Sequence, residues 1–409
     1  MKLSIVRLDH SRADFRAKTI PHDLIIGSLT REVLDYLSCK PALEAARDNN
    51  QRWSSLGTKP SLKEFLLKQT LVKNVMRYVR DPDRWIAFTS LLLKSIAFYR
   101  YVESSMSIPV DEETKLPVVD LPRTKLNRPY LPRIMTDKAC ARRIEEVVGE
   151  EVEESTGSMM NISHQYPYAC MIQKQDESSF PLIGCDVVIF DAHLNKHTPT
   201  ISEFLKVFVG SFTPLEWQSI STSKNALPRS DDDTLQEFYL RWAMKEAHTK
   251  ALGYGMNVDF DSFETRLIGL DVDGVDQKSA FKPHDGIWKS ITAGMNMSSN
   301  QHDVQVHHQV SFVSQITRKR KQNVAILEGD FWVFTFIPLV ERSELAGKKT
   351  IESENTTTRN GCVVVCRGPF HDIEDATTSS NEHHIVLENL TLMDLIRFHG
   401  MKAVMQKCK

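Results

Sequence analysis

The chain has 409 residues, of which 41% are hydrophobic and 25% charged, with a formal net charge of −2. That is the composition of an ordinary globular protein, long enough to bury a core without disulfides or structural metal. The near-neutral charge excludes a general attraction to nucleic acid or to an anionic membrane, so neither is expected as a partner. No stretch approaches the roughly 18 apolar residues of a membrane span. No apolar segment of a secretory signal opens the chain, and Asp9 and Asp14 interrupt Arg7, Arg12 and Arg16, against the acid-poor composition of a transit peptide. The seven cysteines are odd in number and form no C-x-x-C pair, which reads as reduced thiols in a cytoplasmic protein.

Residues 1–50 show weak periodicity, with a helix expected after Leu29–Thr30. Leu62, Phe65, Leu66, Val72 and Met76 predict a helix over 61–80. Asp81-Pro82 interrupts it, because proline disfavours helix in the residue before it. Pro82 suits the first turn of a second helix at about Asp83–Tyr101. Five prolines between Pro109 and Pro132 predict extended chain or loop. Residues 142–154, dense in arginine and glutamate, predict a solvated surface helix. Residues 159–172 and 180–190 read as strands around a polar turn at Lys174–Ser179.

A helix follows at about Thr200–Val209, and another after Thr213-Pro214. The polar loop 221–233 ends in Ser230 and three aspartates, which suit a helix N-terminus. The helix it opens, about Asp232–Leu252, stops at Gly253. Strands are expected at about 258–270, 304–316, 323–338 and 361–367. The polar segments 271–303 and 341–360 read as insertions or loops. Cys362 and Cys366 fall in an apolar strand rather than a metal knuckle. The basic run Arg318–Lys321, between strand-like segments, reads as a hairpin turn rather than a nucleic-acid patch.

Three segments carry chemistry. In Ile183–Asp186 (I-G-C-D) an aspartate ends an apolar strand, where it is costly to bury unless a cation holds it; read alone, it is also what a strand-end turn looks like. In Trp242–Lys250 (W-A-M-K-E-A-H-T-K), Glu246 and Lys250 are four apart and share a helix face. That face borders an apolar stripe of Leu235, Phe238, Trp242, Ala243, Ala247 and Leu252. A surface ion pair is the plain alternative. In Asn161–His164 (N-I-S-H) three side chains can donate to phosphate oxygens, or they are a polar strand end.

In this order the three segments resemble the signature of the 4′-phosphopantetheinyl transferases, of the surfactin-synthetase-activating and eukaryotic cytosolic type. The family pattern places an aspartate after G-x and then W-x-x-K-E-x-x-x-K; here 55 residues lie between Asp186 and Trp242. Arg123–Leu131 (R-T-K-L-N-R-P-Y-L) is similar to the family's basic loop. Ser202–Trp217 is similar to its helix and F-T-x-x-E-W turn, and residues 53–100 to its N-terminal helices. The resemblance covers 53–270 closely and 324–395 loosely.

The resemblance implies that Asp186 and Glu246 hold Mg²⁺ and that Glu246, or a metal-bound water it controls, takes the proton of the carrier serine, with Lys250 as its catalytic partner. Lys250 and Lys245 would offset charge on the pyrophosphate. Asn161, Ser163 and His164 would bind coenzyme A phosphates, and Arg123, Thr124, Lys125 and Arg128 its nucleotide end, with Arg80 and Lys94 as lesser candidates. Two positions depart from the family. Val188 stands where many bacterial members carry a third acid. Thr89 stands where eukaryotic relatives have an arginine.

The implied fold is α+β, two similar α/β halves related by a pseudo-twofold with coenzyme A in the cleft. The division is an N-terminal extension 1–52, an N-terminal half 53–175 and a C-terminal half 176–409 carrying the metal site. The implied substrate is the serine of an apo acyl or peptidyl carrier protein, in fatty-acid or lysine biosynthesis, and a chain holding both halves is expected to be a monomer. The alternative is an inactive relative that binds coenzyme A or a carrier protein.

Overall fold

Every residue of Leu182–Ile189 is buried, the mark of a strand covered on both faces, and it explains an apolar run without alternation. This strand, β4, edges one of two sheets in the computed structural model. The structure describes residues 1–8, 75, 77–106, 160–174, 182–191, 200–225, 227–273, 282–293, 308–318, 331–340, 360–382, 384–390 and, in part, 392–395. The remaining strands are β1 (Lys2–Arg7), β2 (Met160–Gln165), β3 (Tyr168–Gln173), β5 (Phe263–Leu267), β6 (Val310–Arg318), β7 (Phe331–Leu339), β8 (Gly361–Phe370) and β9 (Val386–Leu390). The helices are α1 (Asp81–Met106), α2 (Ile201–Lys206), α3 (Pro214–Ser221), α4 (Asp231–Leu252), α5 (Ile287–Thr292) and α6 (Ile373–Glu382). The fold is therefore α+β. Among the described residues no helix is long and apolar enough to cross a membrane.

One sheet has the order β2-β3-β1-β9, the other β4-β8-β7-β6-β5. The second is antiparallel throughout. In the first, β1 runs antiparallel to β3 and parallel to β9. The odd residues Ile183, Cys185, Val187 and Ile189 of β4 pack with Leu3, Ile5, Cys170 and Ile172 of the first sheet. The even residues Leu182 and Val188 join the core on the α4 side. Helix α1 packs on β2 and β3, and α4 on β4 and β8.

Local chemistry sets the helix ends. Ser230 caps α4 by accepting from Asp233 N, and Gly253 closes it in the left-handed conformation at φ 87°. Thr213 and Glu216 form a reciprocal capping box with Pro214 in the first turn of α3.

Several expectations change. The strand expected over 159–172 is a hairpin, β2 and β3, turning at Tyr166-Pro167. The two-residue turn hides inside an otherwise apolar run. Residues 2–7, where periodicity is weak, form a strand inside the first sheet, because its partners lie far along the chain. The stretch 271–303, read as loop, contains α5, and α6 and β9 follow β8 unannounced. The expected helix at 142–154 and the proline-rich segment lie outside the described residues, as does most of the helix expected over 61–80.

Helix and strand approach closely at Gly184, where a Cβ would stand 2.0 Å from Ala247 O and 2.6 Å from Ala251 N. Gly184→Ala must push α4 off β4. The expected outcome is a destabilisation of about 3 kcal/mol or more, measured as a lower urea midpoint; an unchanged midpoint would show that the helix does not seat on this strand.

Candidate functional site

The site begins at the outer edge of β4, which no strand pairs among the described residues. Its outward amides need acceptors, and alternate side chains of β2 supply them. Asn161 Oδ1 accepts from Cys185 N at 3.0 Å, Ser163 Oγ from Val187 N at 3.3 Å, and Gln165 Oε1 from Ile189 N at 2.9 Å. The two sheets thus meet edge to edge through side chains. The seam fixes β2 beside Asp186, whose even position turns it toward α4.

On α4, Glu246 and Lys250 are one turn apart and face Asp186. Lys250 Nζ donates to Asp186 Oδ1 at 2.6 Å and to Ser163 Oγ at 3.1 Å, and lies 3.9 Å from Glu246 Oε2. Ser163 Oγ donates in turn to Asp186 Oδ1 at 2.6 Å. Burial raises the pKa of the Glu246 carboxyl; Asp186 adds to that and Lys250 opposes it. Burial would lower the pKa of Lys250, but the carboxylates of Asp186 and Glu246 outweigh it and raise it. Two anions and one cation thus share a shielded site in which charges interact more strongly than in water.

These groups line a cavity of about 640 Å³. Its polar wall includes Ser90, Lys94, Ser163, His164, Asp186, Glu246 and Lys250; its apolar wall includes Val188, Phe204, Phe208, Phe238, Tyr239 and Trp242. His164 is open to solvent on one side. Desolvation of its ring and then the charges of Lys250 and Lys94 lower its pKa, which favours the neutral imidazole. Asp186 and Glu246 are hard oxygen donors of the kind Mg²⁺ takes, one or two at a time, alongside water and phosphate. Among the described residues no cluster of three His, Cys, Asp or Glu forms, and Val188 is buried beside them. A cation here would complete its shell from water or ligand.

The other expected residues separate. Asn161 is buried in the seam, its Nδ2 donating to Lys250 O at 3.4 Å, and it does not line the cavity. Lys245 does not line it either. Fully buried, it pairs with Glu216 at 2.9 Å and donates to Phe260 O at 2.7 Å and Phe263 O at 2.6 Å. Arg80 pairs with Asp83 at 2.8 Å with its side chain 78% exposed, away from the cavity. Thr89 is buried and donates to Trp85 O at 2.8 Å. Arg123, Thr124, Lys125 and Arg128 lie outside the described residues.

Sequence reasoning missed Gln165 in the seam and Ser90 on the wall. It also missed a buried network around Arg241, which reaches Glu237 at 2.9 Å, Asp271 at 2.6 Å and Ser219 at 2.8 Å. His284 joins it at 3.2 Å from Asp271, tying the chain beyond β5 to α4. The i,i+4 spacing of Glu237 and Arg241 was the available signal, but their burial was not.

The Lys245–Glu216 pair generates a test of scaffold against site. Lys245→Met leaves the Glu216 charge buried without its partner and is expected to cost about 3–5 kcal/mol, read as a lower denaturation midpoint. Adding Glu216→Gln removes the stranded charge and should regain most of that loss. A lysine acting on ligand would leave stability unchanged in the single variant.

Residues 182–295 match the family model of the 4′-phosphopantetheinyl transferase superfamily. Among relatives, the L-aminoadipate-semialdehyde dehydrogenase-phosphopantetheinyl transferase of Xenopus laevis is 31% identical over 114 residues, which is 27% of this chain and 34% of the relative. The Mus musculus protein of the same name is 24% identical over 232 residues, 54% of this chain and 62% of the relative. A phosphopantetheinyl transferase of a Thraustochytrium species is 26% identical over 164 residues, 38% of this chain and 47% of the relative. The chain thus spans between 34% and 62% of the length of these relatives. The matched segment holds β4 with Asp186 and α4 with Glu246 and Lys250. This segment of the chain is similar to the 4′-phosphopantetheinyl transferase superfamily and to eukaryotic proteins of that name.

Proposed function

We propose that the chain transfers the 4′-phosphopantetheine group of coenzyme A to a serine of an apo carrier protein, releasing adenosine 3′,5′-bisphosphate. The observation that carries this reading is the convergence of Asp186 and Glu246 on Lys250 Nζ, at 2.6 and 3.9 Å, on the wall of the cavity. Two carboxylates, one cation and a nearby imidazole suit a diphosphate ligand whose charge must be balanced. Coenzyme A would lie between the sheet holding β2 and the sheet holding β4, the two halves of a pseudo-symmetric enzyme.

The reaction forms a bond from the serine oxygen to the phosphorus that bears pantetheine and breaks that phosphorus's bond to the bridging diphosphate oxygen. Glu246, its pKa raised by burial, receives the serine proton as general base. Lys250 sits where it can offset charge growing on the leaving diphosphate. Ser163 and Asp186 hold the Lys250 ammonium in place, while His164 donates to phosphate oxygen from the rim. Asp186 and Glu246 would hold Mg²⁺, whose chemistry there is to draw charge from the diphosphate oxygens. Asn161 and Lys245 serve as positioning residues: one seats β2 on β4, the other seats α4 on the segment before β5. The names of the animal relatives point to the carrier domain of an aminoadipate-semialdehyde dehydrogenase as acceptor, with a fatty-acid carrier as the second candidate.

The test is label transfer from fluorescent coenzyme A to both apo-carriers, read by gel. Glu246→Gln keeps shape but loses basicity; transfer should fall at least about a hundredfold, while the melting temperature is held and coenzyme A binding in chelator changes by less than about threefold. Transfer at the wild-type rate in this variant overturns the assignment. Coenzyme A binding without transfer by the wild-type chain would favour the binding-module alternative. Separately, chelation should abolish transfer and added Mg²⁺ restore it; full activity in excess EDTA removes the cation from the reading.

A further inference from the structure

Lys250 stands between the two carboxylates that would hold Mg²⁺, and it carries charge of the metal's own sign. Its Nζ lies 2.6 Å from Asp186 Oδ1 and 3.9 Å from Glu246 Oε2. The ammonium is fixed there. Ser163 Oγ accepts from Lys250 Nζ at 3.1 Å and from Val187 N at 3.3 Å, and donates to Asp186 Oδ1 at 2.6 Å. That uses the one proton and both lone pairs of the hydroxyl. Ser163, Asp186 and Lys250 thus close a ring of hydrogen bonds. The lysine cannot swing away without breaking two of them.

Charge decides what this trio can hold alone. Two carboxylates and one ammonium sum to −1. A divalent cation on the carboxylates would turn that sum to +1, with like charges facing each other in a mostly buried site. Salt screens such a pair poorly, and the low dielectric strengthens the repulsion. A diphosphate reverses the balance, since it brings anionic oxygens that Mg²⁺ accepts readily beside one or two carboxylates.

We propose that Lys250 makes metal binding conditional on the diphosphate: the trio holds a divalent cation weakly by itself and tightly once coenzyme A is in the cavity. The proposal rests on the coenzyme A and Mg²⁺ reading above. It gives Lys250 a part in assembling the site, before any part it plays toward the leaving group. Coupling between two ligands is reciprocal, so the cation tightens coenzyme A by the same factor.

The experiment counts bound Mn²⁺ by electron paramagnetic resonance in the full chain, with and without coenzyme A and with no carrier present. Mn²⁺ bound by coenzyme A in solution is subtracted, and each variant is melted thermally. The wild-type chain should bind Mn²⁺ about tenfold or more tightly with coenzyme A than without. Lys250→Met should tighten Mn²⁺ alone by about ten- to hundredfold and shrink the gain from coenzyme A at least about threefold. Lys250→Arg keeps the charge and should leave Mn²⁺ alone weakly bound. A lysine that only braces the fold would move Tm in these variants and leave Mn²⁺ affinity where it was. Should Lys250→Met fail to fold, Lys250→Gln replaces it, and the wild-type comparison is a test by itself. The proposal is overturned if the wild-type chain binds Mn²⁺ equally with and without coenzyme A, or if the folded, uncharged variant binds Mn²⁺ no more tightly than wild type. If coenzyme A binds but Mn²⁺ binds in neither condition, the cation leaves the proposed function and this proposal falls with it. If coenzyme A itself does not bind, the reading beneath both falls.

Discussion

Backbone amides along the edge of a buried strand must find acceptors, and most of this molecule follows from how β4 meets that requirement. Among the described residues no strand pairs with its outer edge. Instead β2 lays Asn161, Ser163 and Gln165 along it, one side chain for every second amide. A sheet edge that could recruit another chain is closed, and two sheets become one core. The spacing of two along both strands does further work. It places His164 between two anchored neighbours, and it lets Ser163 serve the seam and the Asp186–Lys250 pair at once.

Helix α4 is the second organising element, and adjacent residues on it belong to different worlds. Lys245 is buried against Glu216, Phe260 and Phe263; Glu246, next in sequence, looks into the cavity. A rotation of about 100° per residue is enough to divide scaffold from site. Burying a charged pair is weak evidence for stability. Its service here is orientational: it ties α4, α3 and the entry to β5 together, so that Glu246 and Lys250 arrive at Asp186 in one register.

These particulars explain what could be read from the amino-acid order. Both ends of α4 were legible because capping is local: Ser230 and Gly253 act within a few residues of themselves. So was β4, whose apolar run admits little else. The hairpin of β2 and β3 was not, since Tyr166-Pro167 interrupts neither hydrophobicity nor length. Strand β1 was not, since Lys2–Arg7 gains its stability from β3 and β9, far away in sequence. At the site, Glu246 and Lys250 were legible as an i,i+4 pair, but their meeting with Asp186 was implied only by resemblance. The fates of Asn161 and Lys245 were invisible, because a polar residue in a motif looks the same whether it faces a ligand or holds the wall behind it. Ser90 carried no signal at all.

Helix α4 has one more consequence, for the time course of the molecule. Fifteen of its 22 residues are buried, several of them charged and held at several points. Such a helix has no cheap partial opening, since fraying one turn breaks Arg241 or Lys245 contacts as well as backbone bonds. Its amide hydrogens therefore exchange with solvent chiefly through global unfolding, and their rates report the stability of the whole unit. A ligand gripping Glu246 or Lys250 slows exchange along the entire helix by the stability that its binding adds to the whole unit, which grows with ligand concentration over Kd, rather than only at the residues it touches. A helix that is rigid end to end makes occupancy of one end readable at the other.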